Sequence, residues 1–161
     1  MNTRMFNVLK AIVVLAVLSA CGVETSDPKA YNYDVATAGT RQFEFDTETE
    51  PGVIKVLLES RNLGSNDVEM AEIFFPPDYH GTTHPHEFEI IFVLEGRLDH
   101  IVNGVSNLLE PGMVGVVREP DLVVHRSASP EGVRVLVVWP RGGEVAGFED
   151  PSMRESELVS E

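Results

Sequence analysis

The sequence has one cysteine, Cys21, so it can form neither an internal disulfide nor a cysteine-rich zinc site. Positive charge is scarce: 12 Lys and Arg stand against 26 Asp and Glu, a net charge of −14. Residues 1–20 hold Arg4 and Lys10 but no acid, which leaves 10 bases against 26 acids, or −16, in the remainder. That field repels phosphate backbones and anionic lipid headgroups, and argues against nucleic acid as a partner. No apolar run reaches the about 20 residues that a membrane-spanning helix requires. There is no helical period between residues 41 and 140, no phosphate loop, no nucleophile triad and no internal repeat. The 161 residues suffice for one domain with a core and are too few for two of ordinary size.

The N-terminus bears on the compartment. Two basic residues in Met1 to Lys10 precede a short apolar run, Ala11 to Leu18, and Leu18-Ser19-Ala20-Cys21 closes it with small residues. This is the three-part layout of a secretory signal over residues 1–20. Leu-Ser-Ala-Cys also resembles the lipobox of bacterial lipoproteins. That resemblance implies lipidation of Cys21, cleavage before it, and membrane anchoring through acyl chains outside the cytoplasm. Gly22 in place of Asp after the cysteine implies the periplasmic side of the outer membrane, if the organism has one. Residues 21–40 are polar and small with no apolar period, the composition of a flexible tether.

From Arg41 the chain is a series of short strand-like runs: 42–45, 53–58, 68–75, 88–94, 98–102, 105–109, 114–117, 122–125 and 133–139. Gly- and Pro-containing turns separate them, and Asn103-Gly104 is a hairpin signal. Strands recurring at this interval predict an all-β domain over 41–143, an antiparallel sandwich or closed barrel. An exposed sheet edge in such a domain would allow a homodimer. Residues 144–161 are acidic and lose the pattern, which predicts a solvated tail with Val145, Phe148 and Met153 able to touch the barrel.

All five histidines, His80, His84, His86, His100 and His125, fall within this β region. On an extended backbone His84 and His86 project to one face about 7 Å apart, close enough to converge on one ion if other strands bring further ligands. In a barrel, inward residues from neighbouring strands share a cavity and can complete such a site. His100 shares the parity of Leu98 and Val102, and His125 ends an apolar run.

Residues 81–125 resemble the cupins. His84-Pro85-His86, Glu89 and Gly96 match that family's first motif, and Glu110-Pro111-Gly112 with His125 outlines its second. The resemblance implies a double-stranded β-helix (jelly-roll) barrel and a metal held by His84, His86, Glu89 and His125. Three imidazoles and a carboxylate suit a divalent transition metal such as Fe, Mn, Ni, Cu or Zn. The expected activity is oxygenase or isomerase chemistry on a small organic molecule, with His100 as the proton-transfer group; the alternative is a non-catalytic ligand- or metal-sensing module. Only two residues separate His86 from Glu89, so on an unbroken strand Glu89 would face away from the histidines. A bulge at Glu87 or Phe88 would restore it; otherwise Glu87 or His80 would have to substitute.

Overall fold

A computed structural model of the chain describes residues 38–156 and residue 158. The signal segment, Cys21 and the tether up to residue 37 lie outside the described residues. Among the described residues eleven strands form two antiparallel sheets. The expected runs become β1 (Arg41–Phe45), β2 (Gly52–Leu58), β3 (Glu69–Phe75), β5 (Phe88–Glu95), β6 (Leu98–Val102), β7 (Val105–Leu109), β8 (Val114–Arg118), β9 (Leu122–Ser127) and β10 (Val133–Trp139). Two strands were not expected: β4 (His84–Pro85) and β11 (Met153–Ser156). The larger sheet runs β11-β1-β2-β3-β10-β5-β8 and the smaller β4-β9-β6-β7, the all-β architecture that the strand pattern predicts, in the double-stranded β-helix form that the resemblance implies.

Side-chain alternation decides which residues face inward. In β3 and β10 every second residue is buried, so Glu69, Ala71, Ile73 and Phe75 point the same way, as do Val133, Val135, Val137 and Trp139. With Phe43, Ile54, Val56, Ile91, Val93 and Leu98 they make up most of the apolar core. The β6–β7 hairpin pairs Val102 with Val105 around Asn103 and Gly104. Their φ angles of 51° and 78° are the positive values that a tight two-residue turn demands and that Asn and Gly tolerate.

The C-terminal segment corrects the expectation of a solvated tail. A 3₁₀ helix, Val145–Glu149, tucks Val145 into the core at 1% exposure, and its N–H donates to Glu69 Oε2 at 2.9 Å. Phe148 packs on Phe43 and Trp139 at centroid distances of 5.9 and 5.8 Å. Arg41 Nη1 holds Glu149 Oε1 at 2.7 Å, and β11 extends the larger sheet by pairing with β1. The domain therefore continues through residue 156, because β1 leaves an edge whose backbone groups a further strand can satisfy. The expected tether also ends early: Thr40 N–H already donates to Val56 O at 2.9 Å.

Candidate metal centre and its cavity

The smaller sheet supplies the histidines. His100 on β6 and His125 on β9 are direct cross-strand partners, with ring centroids 5.4 Å apart and planes 5° from parallel. His84 pairs with Val123, one inward step from His125 on β9, and its ring meets that of His125 edge-on at 5.4 Å. The loop leading to His84 is laced to β9: Gly81 N–H donates to His125 O at 2.9 Å and Ser127 N–H to Tyr79 O at 3.0 Å.

Glu89 comes from the opposite sheet. It shares the buried parity of Ile91 and Val93 on β5 and is 2% exposed. No bulge is needed within β5 to turn it inward, because His84 and Glu89 are not on one strand. The chain leaves the smaller sheet after Pro85, turns through His86 and the bend at Glu87, and enters the larger sheet at Phe88. Strand parity does not carry across such a corner.

Four side chains thereby form a chain of short contacts. His84 Nε2 is 3.0 Å from His86 Nε2; His86 Nε2 is 3.1 Å from Glu89 Oε2; His125 Nε2 is 3.1 Å from Glu89 Oε1. Among the described residues the group whose ligand atoms all lie within 4.8 Å of one another, a spacing at which one ion can be shared, is Glu89, His100 and His125. The two proposed substitutes for Glu89 lie outside the cluster: Glu87 is exposed and pairs with Arg141, and exposed His80 contacts the Gly81 carbonyl at 3.2 Å.

The electrostatics follow from burial and mutual contact. Burial works to raise the Glu89 pKa, but the hydrogen bond from His125 and the charges of His125, His86 and His100 outweigh it and hold the carboxyl at about 2. Burial is the largest influence on His84 and depresses it; the neighbouring His125 and His86 act in the same sense. In His86 burial is opposed by Glu144 and Glu89, and the net shift is upward. His100 is pushed down to about 4, by burial first and by His125 second.

Contacts on the far side of the His84 and His86 rings orient them. His84 Nδ1 faces the Thr82 carbonyl at 2.8 Å, and a carbonyl only accepts, so this nitrogen carries the proton. His86 Nδ1 lies 3.1 Å from Glu144 Oε1, a short contact to a carboxylate although off the axis of a well-formed hydrogen bond. Trp139 Nε1 donates to Glu89 Oε2 at 3.2 Å from the end of β10. The sequence places Glu144 in a tail and Trp139 at the end of a strand-like run, and marks neither as part of a site. Trp139 is core at 2% exposure, and it also orients the carboxylate.

His100 stands elsewhere than expected. It is 2% exposed with Nε2 lacking a hydrogen-bond partner, and it lies behind His125 rather than among the side chains that line the cavity. Its approach depends on Gly115 of β8: a Cβ there would sit 2.5 Å from His100 Nδ1. The expected proton-transfer group is therefore a buried ring with a ligand atom near Glu89 and His125, and it does not line the cavity.

His84, His86, Glu89 and His125 are among the side chains that line a cavity of about 540 Å³. Aromatic side chains of β1, β3, β10 and the C-terminal 3₁₀ helix form much of its wall, together with Met153 of β11.

No protein-family model matches the chain, and no curated protein matches it in sequence. Solved structures do. A predicted oxalate decarboxylase from Thermotoga maritima aligns with a TM-score of 0.54 at 20% identity over 63% of this chain and 91% of its own. KdgF from Halomonas sp. aligns at 0.51 and 20%, covering 63% and 89%, and an RmlC-like cupin from Shewanella frigidimarina at 0.51 and 18%, covering 64% and 87%. The chain therefore has the cupin fold. At these identities the likeness establishes architecture and leaves the chemistry to the site itself.

Proposed function

We propose that this protein is a metal-binding cupin that acts on a small organic molecule held in its cavity, with His84, His86, Glu89 and His125 as ligands. One observation carries the reading. With His84 Nδ1 protonated towards Thr82 O, the Nε2 lone pair of its neutral ring faces His86 Nε2 at 3.0 Å, and a Glu89 oxygen stands 3.1 Å from the same His86 atom. A cation or a proton among these atoms relieves the repulsion of their lone pairs, and three such atoms around one point are a ligand arrangement. Adjacent donors of an octahedral ion with bonds of about 2.0–2.1 Å stand about 3 Å apart, the spacing of these contacts. The donor set is thus suited to a divalent transition ion such as Fe, Mn, Ni, Cu or Zn.

Such an ion would supply Lewis-acid or redox chemistry, of the oxygenase or isomerase type, at the polar end of the cavity. The chain's own part is to orient the ligands through Thr82 O, Glu144 and Trp139 and to surround the bound molecule with apolar wall. A second reading, a binding or sensing module, is favoured by one observation. Among the described residues the cavity has no free acid or base: Glu144 is engaged with His86, and burial raises the Tyr79 pKa so that its hydroxyl stays protonated.

The N-terminal signal layout and the lipobox-like Leu18-Ser19-Ala20-Cys21 support placing this domain outside the cytoplasm on a lipid anchor at Cys21. The test of the metal reading is elemental analysis of the full chain and of the His84→Ala/His125→Ala variant after exposure to several metals. The wild type should retain stoichiometric metal and the variant none; equal retention would overturn the assignment.

A further inference from the structure

The cavity wall says which chemical class of molecule the site takes. Beyond the metal-ligand candidates, its only polar side chains among the described residues are Tyr79 and Glu144; no Lys, Arg, Ser, Thr, Asn or Gln lines it. A sugar or a small polyanion would leave hydroxyls or charges without partners there, and buried polar groups without partners are costly. The rest of the wall is apolar and rich in aromatic rings. Phe75 stacks on Tyr79 at 4.7 Å and Phe45 meets Tyr79 edge-on at 5.2 Å, while Trp139 and Phe148 pair at 5.8 Å. A volume of 540 Å³ is ample for a ring and its substituents.

We infer that the cavity receives a compact molecule with an apolar, aromatic-sized body and a single chelating polar end, and that the C-terminal segment, through Phe148 and Met153, sets its selectivity. This rests on the metal reading above for the polar end, while the apolar body is argued from the wall alone. The segment carries three parts of the site on one short stretch: Phe148 and Met153 in the wall, and Glu144 on His86. A change at Phe148 or Met153 therefore alters the fit of the body without touching a ligand of the proposed ion.

Two hydroxamates with the same chelating head and different bodies test this, read by calorimetry on the Zn²⁺-loaded full chain. Benzohydroxamate should bind at least about 30-fold more tightly than acetohydroxamate, the preference that burying a phenyl in place of a methyl provides. Phe148→Ala should weaken benzohydroxamate about tenfold and change acetohydroxamate by no more than about twofold. Met153→Ala, at a half-buried position, should show the same pattern more weakly and serves if the Phe148 variant does not fold. In a separate arm, toluene is added to the metal-stripped chain and followed by the emission of Trp139, the single tryptophan, which lies in the wall. Toluene should bind, as apolar molecules do in apolar cavities.

Equal affinities for the two hydroxamates would overturn the inference and leave the metal reading standing. Failure of the chain to hold Zn²⁺ or any other ion would overturn the metal reading, and the toluene arm would then decide the apolar half. No response to toluene overturns the inference in either case.

Discussion

Replacing Gly115 by alanine sets two opposing effects against each other, and the structure says which prevails. The φ at Gly115 is not positive, so alanine fits the backbone. By itself that change should stabilise the fold by about 0.4–1 kcal/mol, because the unfolded chain has less freedom to lose. Against this, the new methyl would lie 2.5 Å from His100 Nδ1, 2.7 Å from its Cε1 and 2.9 Å from Ile91 Cγ2. Unstrained carbon contacts are about 3.5–4.0 Å. His100 has little room to retreat: its ring is flat against His125, it is 2% exposed, and Asn107 Nδ2 donates to its carbonyl at 3.1 Å. Overpacking of this kind costs about 1–3 kcal/mol, so the net expectation is a loss of about 1–2 kcal/mol. Urea unfolding followed by Trp139 emission measures it. The same substitution in a His100→Ala background should lose most of its cost, giving a coupling of about 1 kcal/mol or more between the two positions. A stabilising Gly115→Ala, or an equal effect in both backgrounds, would refute the argument that Gly115 exists to admit the His100 ring.

The attachment of the C-terminal segment should weaken in acid. Hydrogen bonds from Arg154 and Arg41 hold the Glu44 and Glu149 carboxyls below their ordinary value of 4.5. Depressed folded pKa values mean that this stabilisation is fully present above about pH 4.5 and is lost as the pH falls through the lower folded values. Hydrogen-exchange protection of the Met153–Ser156 amides, corrected for intrinsic rate, should fall in that range before the core opens; protection independent of pH would contradict it. Ending the chain at Gly143 should cost on the order of 4 kcal/mol, from the lost burial of Val145, Phe148 and Met153. It would also leave the Arg41–Glu59 pair, 7% and 4% exposed, without its cover. An unchanged urea midpoint for that truncated chain would show that residues 144–156 are not packed as described.

The barrel was legible because its signals are local. Alternation in Glu69–Phe75 and Val133–Trp139, and the Asn-Gly pair between Val102 and Val105, are properties of a few adjacent residues, and each became the element it indicated. The histidines were legible for a different reason: the residue type is uncommon, and its confinement to the β region asks for a shared site. Glu89 was harder. Counting from His86 along one strand turns it outward, whereas counting from Ile91 and Val93 turns it inward; the second count is right because the chain changes sheets between Pro85 and Phe88.

The remaining parts of the site are invisible to either kind of reading. Trp139 is 50 residues from the carboxylate it supports, and Arg154 is 110 residues from Glu44. Glu144 reaches His86 only because Val145 and Phe148 find room against the core. These are common residue types whose roles come from long-range pairing, so neither spacing nor composition distinguishes them from surface and filler. The functional consequence is asymmetric. The proposed ligands could be read from the chain, but Glu144 beside His86 and part of the cavity wall depend on a C-terminal segment whose sparse apolar residues gave almost no sign of a fold.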